Sequence, residues 1–510
     1  MKLVVKVIPN RYIDSVSLMA LSTKANQIEA IEQVIIAMAT DMNKEVMKSV
    51  GLYNEVVEQA ASSDLIIVMK LKEAAEEAIV LTQVQELLDH KEKIEVSTGP
   101  RVFKTIQEAH DYDDTTNLAL ISVNGHFAAR EAQQALDAEM HVMMFSDNVT
   151  VEDEIALKDQ AIKKGLLMMG PDCGTAIINQ VGLGFANHVR PGNIGIVGAS
   201  GTGSQEISVR IHEFGGGISQ LLGVGGRDLN AVVGGRMMLA SIEALAQDPN
   251  TDVIVLVSKT PDDQVKETII QKAKQIDKPV VVWFMGSMEN QVDDNIYFVD
   301  LSKNAALKAV ELAGVDTSQL DLHPLNLPLI DQLQEKLTAE QRYIRGLFSG
   351  GTLCSEAYYI AKEKYSNVVS NTTHHDEPIV EAGNHTFIDY GADEYTDGKP
   401  HPMIDPSNRI EGFKRVAQDP TVGVILLDFV LGYGAHEDPV GVMVPDIIEA
   451  KEAAKKAGRH LEIIGYILGT PLDEQNLADQ LAKLESTGAT YASSMQNAGL
   501  LAREFVGKGE

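Results

Sequence analysis

Cysteine is scarce in this chain: its 510 residues hold two, Cys173 and Cys354. That excludes a disulfide framework and makes a reducing compartment the expected setting. No apolar run reaches the length needed to cross a bilayer. The opening stretch Met1-Lys2-Leu3-Val4-Val5-Lys6-Val7-Ile8-Pro9 is too short, and too interrupted by lysine, to be a signal peptide. It reads as a first strand, and a cytoplasmic protein is expected. Positive charge is also in deficit, with 43 Lys and Arg against 73 Asp and Glu, a net charge of −30 at pH 7. That balance argues against a nucleic-acid surface or an anionic membrane surface. It leaves a phosphorylated small ligand open, because backbone N–H groups bind phosphate without lysine.

A glycine-rich strand-to-helix turn occurs twice. The first copy is Ile194-Gly195-Ile196-Val197-Gly198-Ala199-Ser200-Gly201-Thr202-Gly203-Ser204-Gln205-Glu206, and the second is Ile344-Arg345-Gly346-Leu347-Phe348-Ser349-Gly350-Gly351-Thr352-Leu353-Cys354-Ser355-Glu356. Such a turn leaves the first N–H groups of its helix unpaired at the positive end of the helix dipole, which makes an anion site. One copy says little, since any doubly wound sheet has glycine at these junctions. Two copies in corresponding places predict one anion gripped from both sides. Each turn is followed by the same order of elements. Ala246-Gln247-Asp248-Pro249 precedes a strand over Asp252–Val257, and Ala417-Gln418-Asp419-Pro420 precedes one over Val422–Leu427. A further strand ending in glycine comes next, at Pro279–Gly286 and at Leu461–Gly469. An internal repeat of this kind outranks local propensity as a sign of architecture.

The length predicts three or four domains. Residues 1–95 read as a small α+β unit of the split βαβ kind, with strands over Lys2–Ile8, Ala30–Ala39 and Asp64–Leu71 and helices over Asp14–Thr23 and Lys72–Asp89. Residues 115–190 read as a second α/β unit. In it Thr150 caps a helix, and a strand over Leu166–Met169 runs into Gly170-Pro171-Asp172-Cys173-Gly174-Thr175. The two repeats span 191–320 and 340–510. The second carries an insertion from His385 to Pro406, a dense polar loop expected at the ligand end of its sheet.

Gly170-Pro171-Asp172-Cys173, the first glycine turn and Gly223-Val224-Gly225-Gly226-Arg227-Asp228 follow the order of the succinyl-CoA synthetase α subunit, and the C-terminal unit resembles the end of the β subunit. Ile13-Asp14-Ser15-Val16-Ser17-Leu18-Met19, the central VMMFSDNVTVEDEI and the late DGKPHPMIDP match one branch closely, so the chain resembles the FdrA family. The resemblance implies an α/β fold of several doubly wound domains of the succinyl-CoA synthetase type. These are a Rossmann-like CoA-binding domain at 115–190 and two flavodoxin-like ligase domains at 191–320 and 340–510, beside the small N-terminal α+β unit. This sequence departs from the synthetases in one essential. They phosphorylate a histidine in the loop after the strand corresponding to Pro279–Gly286, and here Ser287-Met288-Glu289-Asn290 stands there, with no histidine between His212 and His323. The ATP-grasp domain and the N-terminal glycine-rich CoA loop are missing too.

A clamp kept without histidine or ATP needs a phosphate that arrives on a small molecule. The resemblance to FdrA proteins of allantoin breakdown supplies a carbamoyltransferase component that interconverts oxamate plus carbamoyl phosphate with oxalurate plus phosphate. Companion protein subunits are then expected, and a homo-oligomer stays open. The rival readings are an acyl-CoA synthetase of succinate-CoA ligase type that borrows its missing parts from a partner, and a non-catalytic scaffold binding CoA or phosphate. No cofactor is required by the preferred reading; CoA or a phosphate compound is the expected ligand, and no metal is expected.

Ser200, Gly201, Thr202 and Gly203 are assigned one side of the phosphate, and Gly350, Gly351 and Thr352 the other. Arg227 suits a phosphate or an oxamate carboxylate, or equally an ion pair with Asp228. Asp228 and Asp397 are counted with the substrate contacts. His401, beside Asp397 and Lys399, is the candidate for the acceptor's proton, against a solvated loop histidine. Asp172 is a turn former or a ligand contact. Lys259 follows a strand and faces either the cleft or solvent. Cys173 reads as a small packed residue, and His374-His375-Asp376 as a solvated loop, not a metal site.

Overall fold

The computed structural model describes residues 2–9, 11, 13, 18, 21–22, 24–26, 28, 30–72, 77–94, 101–286, 290–373, 379–396 and 399–506. Most of the expected helix Asp14–Thr23, part of the Ile13–Met19 motif, the segment Ser287–Glu289, the His374-His375-Asp376 run and Asp397 lie outside the described residues. The chain divides into two compact units, Met1–Phe103 and Lys104–Glu510.

In the first unit, strands Lys2–Ile8 and Ile31–Met38 both pair antiparallel with a central strand Leu65–Leu71. The outer strands therefore run parallel to each other with the third between them, which is a split βαβ arrangement. The central strand is buried at six of seven positions because both faces are covered. One face packs Val4, Val34, Ile67 and Met69 with Val80 and Val84 of the helix Glu77–Ile94. The other packs Ile66 and Val68 against Met47, Leu52 and Val57. Two helices on that second face, Asp41–Ser49 and Glu55–Gln59, were not expected.

Among its described residues the second unit holds three sheets. The smallest is parallel, in the order Leu118–Ile121, His141–Met144, Met168–Met169. Thr150 caps the helix Val151–Lys164 as expected, accepting from Asp153 N, and Gly165 closes it in the left-handed conformation. The first repeat forms an eight-stranded sheet. Its parallel core runs Ile218–Gly223, Pro191–Gly198, Val253–Ser258, Val280–Phe284, Ile296–Phe298. Counted from the first strand of the repeat, that is the 2-1-3-4-5 order of flavodoxin-like domains. An antiparallel hairpin, Thr175–Ile178 with Val181–Gly184, extends one edge beside Ile218–Gly223. The second repeat gives a six-stranded, all-parallel sheet in the order Val368–Ser370, His385–Asp389, Tyr343–Phe348, Val422–Val430, Glu462–Leu468, Thr490–Ala492. Counted in chain order that is 2-3-1-4-5-6; with the edge strand Val368–Ser370 set aside, the other five follow 2-1-3-4-5. The strands Val253–Ser258, Val422–Val430 and Glu462–Leu468 are buried at every position, as parallel strands covered by helices on both faces must be.

The repeated Ala-Gln-Asp-Pro has a local cause. In both copies it turns a helix into a strand, and the aspartate closes the turn. Asp248 accepts from Asn250 N and Thr251 Oγ1, and Asp419 from Thr421 N and Thr421 Oγ1. Proline after the aspartate stops the helix.

Candidate functional site

In a 2-1-3-4-5 sheet the ligand crevice opens between the C-terminal ends of the first and third strands, where the chain order reverses. In the first repeat those ends are Gly198 and Ser258, and in the second Phe348 and Val430. The two crevices face each other. Helix Gly201–Glu213 starts after Ser200, whose Oγ caps it by accepting from Gly203 N at 3.1 Å. Helix Gly351–Lys362 starts after Gly350 with no side-chain cap. Ser200 Oγ and Thr352 Oγ1 are hydrogen-bonded to each other, and Thr352 N donates to Thr202 Oγ1 at 3.4 Å. Both helix N-termini therefore meet at one point, as the paired turns predict. Small residues are required there. A Cβ on Gly203 would lie 2.9 Å from Thr352 Cγ2, and one on Gly350 would lie 2.9 Å from Thr202 Cγ2.

Behind the turns, each helix is tied to the opposite half by a buried glutamate at the same repeat position. Tyr466, on the second sheet, donates its hydroxyl to Glu206 of the first helix. Ser302, in the first repeat, donates both N (3.0 Å) and Oγ (2.8 Å) to Glu356 of the second helix. Burial raises both carboxyls, that of Glu356 to about 8, and Glu206 raises Glu356 further.

The second turn is shaped by a carboxylate that the sequence did not single out. Asp428, fully buried, accepts from Ser349 N at 2.8 Å and Gly350 N at 2.9 Å, and pairs with Arg409 Nη1 at 2.7 Å. Burial raises its carboxyl, and Arg409 opposes that shift. The signal in the sequence was a lone charge inside the apolar run VGVILLDFV.

Three sheets bring polar groups to the rim of this junction. Asp172 follows the strand Met168–Met169 in a left-handed conformation (φ 56°), and its carboxylate accepts no hydrogen bond among the described residues. It is exposed to solvent on one side, and the protein surrounding it on the others raises its carboxyl to about 7. Asp389 ends the strand His385–Asp389 and accepts from Gly391 N at 2.8 Å; burial raises it to about 6. Lys259, next after Val253–Ser258, is the cation that most favours the charged form of both aspartates. Its Nζ lies 3.3 Å from where a Cβ would sit on Gly351, the first residue of the second helix, and the Asp389 carboxylate crowds the same point. Lys259 thus faces the cleft. His401 packs its ring on Phe185 with centroids 5.5 Å apart, takes Met403 N on Nδ1, and brings Nε2 against Gly391. Burial, then Arg409, lowers it to about 4, so it is neutral at pH 7, and with Nδ1 taken by Met403 N its proton sits on Nε2, which makes it a hydrogen-bond donor toward Gly391 and the cleft. Asp389 was legible only as part of the polar insertion His385–Pro406.

Other expected contacts go elsewhere. Asp228 is fully buried and is taken up by Lys158 at 2.7 Å and by Met237 N and Met238 N, so it opens the helix Arg236–Gln247 instead of reaching the cleft. Arg227 pairs with Glu154 at 3.0 Å and Val149 O at 2.8 Å, not with Asp228. Cys173 is a buried packed residue, its thiol pushed up to about 12 by burial. No group of three or more His, Cys, Asp or Glu side chains among the described residues is placed to hold a metal ion, and no helix among them is long and apolar enough to cross a membrane.

Family models match in three places. A CoA-ligase domain matches residues 347–505, a CoA binding domain 189–286, and "AllF, heavy metal-associated domain" residues 1–101. The two glycine turns lie in or beside the first two. The third holds no cysteine and so offers no thiolate to a soft metal. The succinate–CoA ligase [ADP-forming] subunit alpha of Aquifex aeolicus is 29% identical over 194 residues, covering 37% of this chain and 62% of that one. The match therefore spans less than two thirds of that ligase subunit. Among solved structures, the ATP citrate lyase of Methanothrix soehngenii in complex with citrate and coenzyme A aligns at 14% identity over 79% of this chain and 84% of that one, with a TM-score of 0.34. The uncharacterized protein YahF of Escherichia coli (strain K12) is 52% identical over 514 residues, covering 100% of this chain and 99% of that one. The chain belongs to the family of YahF, and that family carries CoA-binding and CoA-ligase domains on a succinyl-CoA-synthetase-like α/β fold.

Proposed function

We propose that this chain is the phosphate-holding component of a group-transfer enzyme of the CoA-ligase type, and that its substrate is an acyl phosphate, a mixed anhydride of a carboxylic or carbamic acid with phosphate. The observation that carries this is the meeting of two helix N-termini through Ser200 and Thr352, with Lys259 beside the second. Each helix end favours an anion by ~0.3–1 kcal/mol when exposed and by more when shielded. With no histidine between His212 and His323 to carry a phosphoryl group, the phosphate comes already attached to its acyl group. Carbamoyl phosphate is the acyl phosphate that suits the resemblance to the FdrA family, with oxamate as acceptor and oxalurate and phosphate as products. Such a transfer needs no covalent nucleophile; it needs the carbonyl and the acceptor nitrogen held together and donors facing the developing oxyanion. Asp172, raised to about 7, takes the acceptor's proton, and neutral His401 donates a hydrogen bond from Nε2. Companion proteins complete the enzyme.

The second reading is an acyl-CoA synthetase of succinate–CoA ligase type, in which a partner supplies the histidine and the ATP site. The CoA-ligase and CoA binding matches favour it directly. Thermal stability of the full chain with phosphate, carbamoyl phosphate, CoA and ATP–magnesium separates the two. A ligand at a hundred times its dissociation constant adds ~2.7 kcal/mol to the native state. Stabilisation by phosphate and carbamoyl phosphate alone supports the transferase; stabilisation by CoA without phosphate restores the ligase reading and refutes the first.

A further inference from the structure

Thr175 opens the strand Thr175–Ile178, which pairs antiparallel with Val181–Gly184 and with Ile218–Gly223. Its backbone is fixed on both sides: its carbonyl oxygen faces Cys173 Sγ at 3.7 Å and would lie 2.5 Å from a Cβ on Gly223. Its side chain is only 2% exposed, and its hydroxyl has no hydrogen-bond partner. A buried hydroxyl without a partner costs stability, and valine would fill the same space without that cost. The hydroxyl points at the first turn. Oγ1 lies 3.6 Å from where a Cβ would sit on Gly201, the first residue of the first helix, and that point is otherwise bordered only by Gly174 Cα at 4.0 Å. A lone polar group is thus aimed at the first residue of this helix, beside its Ser200 cap, from a third segment of chain outside both glycine turns.

We propose that Thr175 is a ligand of the phosphate: its hydroxyl donates to a phosphate oxygen held at the N-terminus of helix Gly201–Glu213. This rests on the reading of the paired turns as a phosphate site and adds to it a donor that neither turn supplies. The phosphate is then held from three directions, by the first turn, by the second turn with Lys259, and by the hairpin edge through Thr175. The geometry of such a site favours a tetrahedral oxyanion over a planar carboxylate, because its donors do not lie in one plane.

The test compares the full-length protein with Thr175→Val and Thr175→Ser, using inorganic phosphate and carbamoyl phosphate as probes in titration calorimetry and measuring each protein's melting temperature without ligand. The expected result is a loss of about tenfold or more in affinity for both probes in Thr175→Val, as for a hydrogen bond to a charged group. Its melting temperature without ligand should stay level or rise, and Thr175→Ser should bind as the wild type does. Unchanged affinity in Thr175→Val overturns the proposal. So does a fall in its melting temperature, which would give the hydroxyl a partner within the fold. If the wild type takes up neither probe, the phosphate reading itself fails and the role of Thr175 falls with it.

Discussion

Removing Arg409 should unlock the second turn. Arg409 is 2% exposed and Asp428 0%, and one guanidinium nitrogen contacts both the carboxylate at 2.7 Å and the backbone oxygen of Asp428 at 2.6 Å. The same carboxylate fixes the amides of Ser349 and Gly350. Arg409→Met keeps much of the side-chain volume and strands the carboxylate in a dry interior. Breaking such a pair from one side costs about 3–5 kcal/mol, whereas replacing both partners often costs little. The double variant Arg409→Met/Asp428→Asn should therefore recover part of the loss, because the neutral amide still accepts from one of the two backbone amides. The pH dependence has a definite sign. Without its cation, the folded-state carboxyl of Asp428 is raised further above its unfolded value. Its contribution is then complete at pH values below the unfolded value and is lost as pH rises through the folded one, so the deficit of Arg409→Met should grow with pH. Urea denaturation followed by circular dichroism at pH 5 and pH 8 measures all three proteins as a double-mutant cycle. A single-variant loss below about 1 kcal/mol, or a double variant no more stable than Arg409→Met, would refute this account of the turn.

Glu356→Gln should flatten the stability–pH profile. The carboxyl is raised from 4.5 to about 8, so wild-type stability falls with rising pH across that window by ~1.4 kcal/mol per pH unit for the one proton involved. The amide keeps the bonds from Ser302; melting curves that stay parallel between pH 5 and pH 9 would contradict this. Ser200→Asp should fold normally, since aspartate is as good a helix cap as serine. It should lose stabilisation by phosphate, because it brings a carboxylate to the anion site. Persistence of the phosphate-induced thermal shift in that variant would move the anion away from the first turn.

Legibility in the sequence followed range. The two glycine turns and the Ala-Gln-Asp-Pro connectors are local punctuation, and each joins strand and helix where its residues imply. The buried parallel strands were legible because burial on both faces makes them apolar throughout. The helix Asp41–Ser49 was not, because its exposed Val46 breaks the apolar stripe that its buried Met47 begins. Asp228 sits beside glycines in the order expected of a binding loop, but its partner Lys158 stands 70 residues away. Asp389, Asp428 and Thr175 became visible only once three sheets converged on one cleft. Their neighbours say little, a lone charge in an apolar run for Asp428 and a polar insertion for Asp389, and what gives them a role is who faces them across the fold.

The reciprocal ties from Tyr466 to Glu206 and from Ser302 to Glu356 join two halves that lie on one polypeptide. Covalent linkage sets their ratio at one to one and their effective concentration in the range that short tethers reach, about millimolar. The completeness of the site is therefore indifferent to dilution. A junction divided between separate subunits would open as protein concentration fell, whereas this one stays assembled in a single molecule.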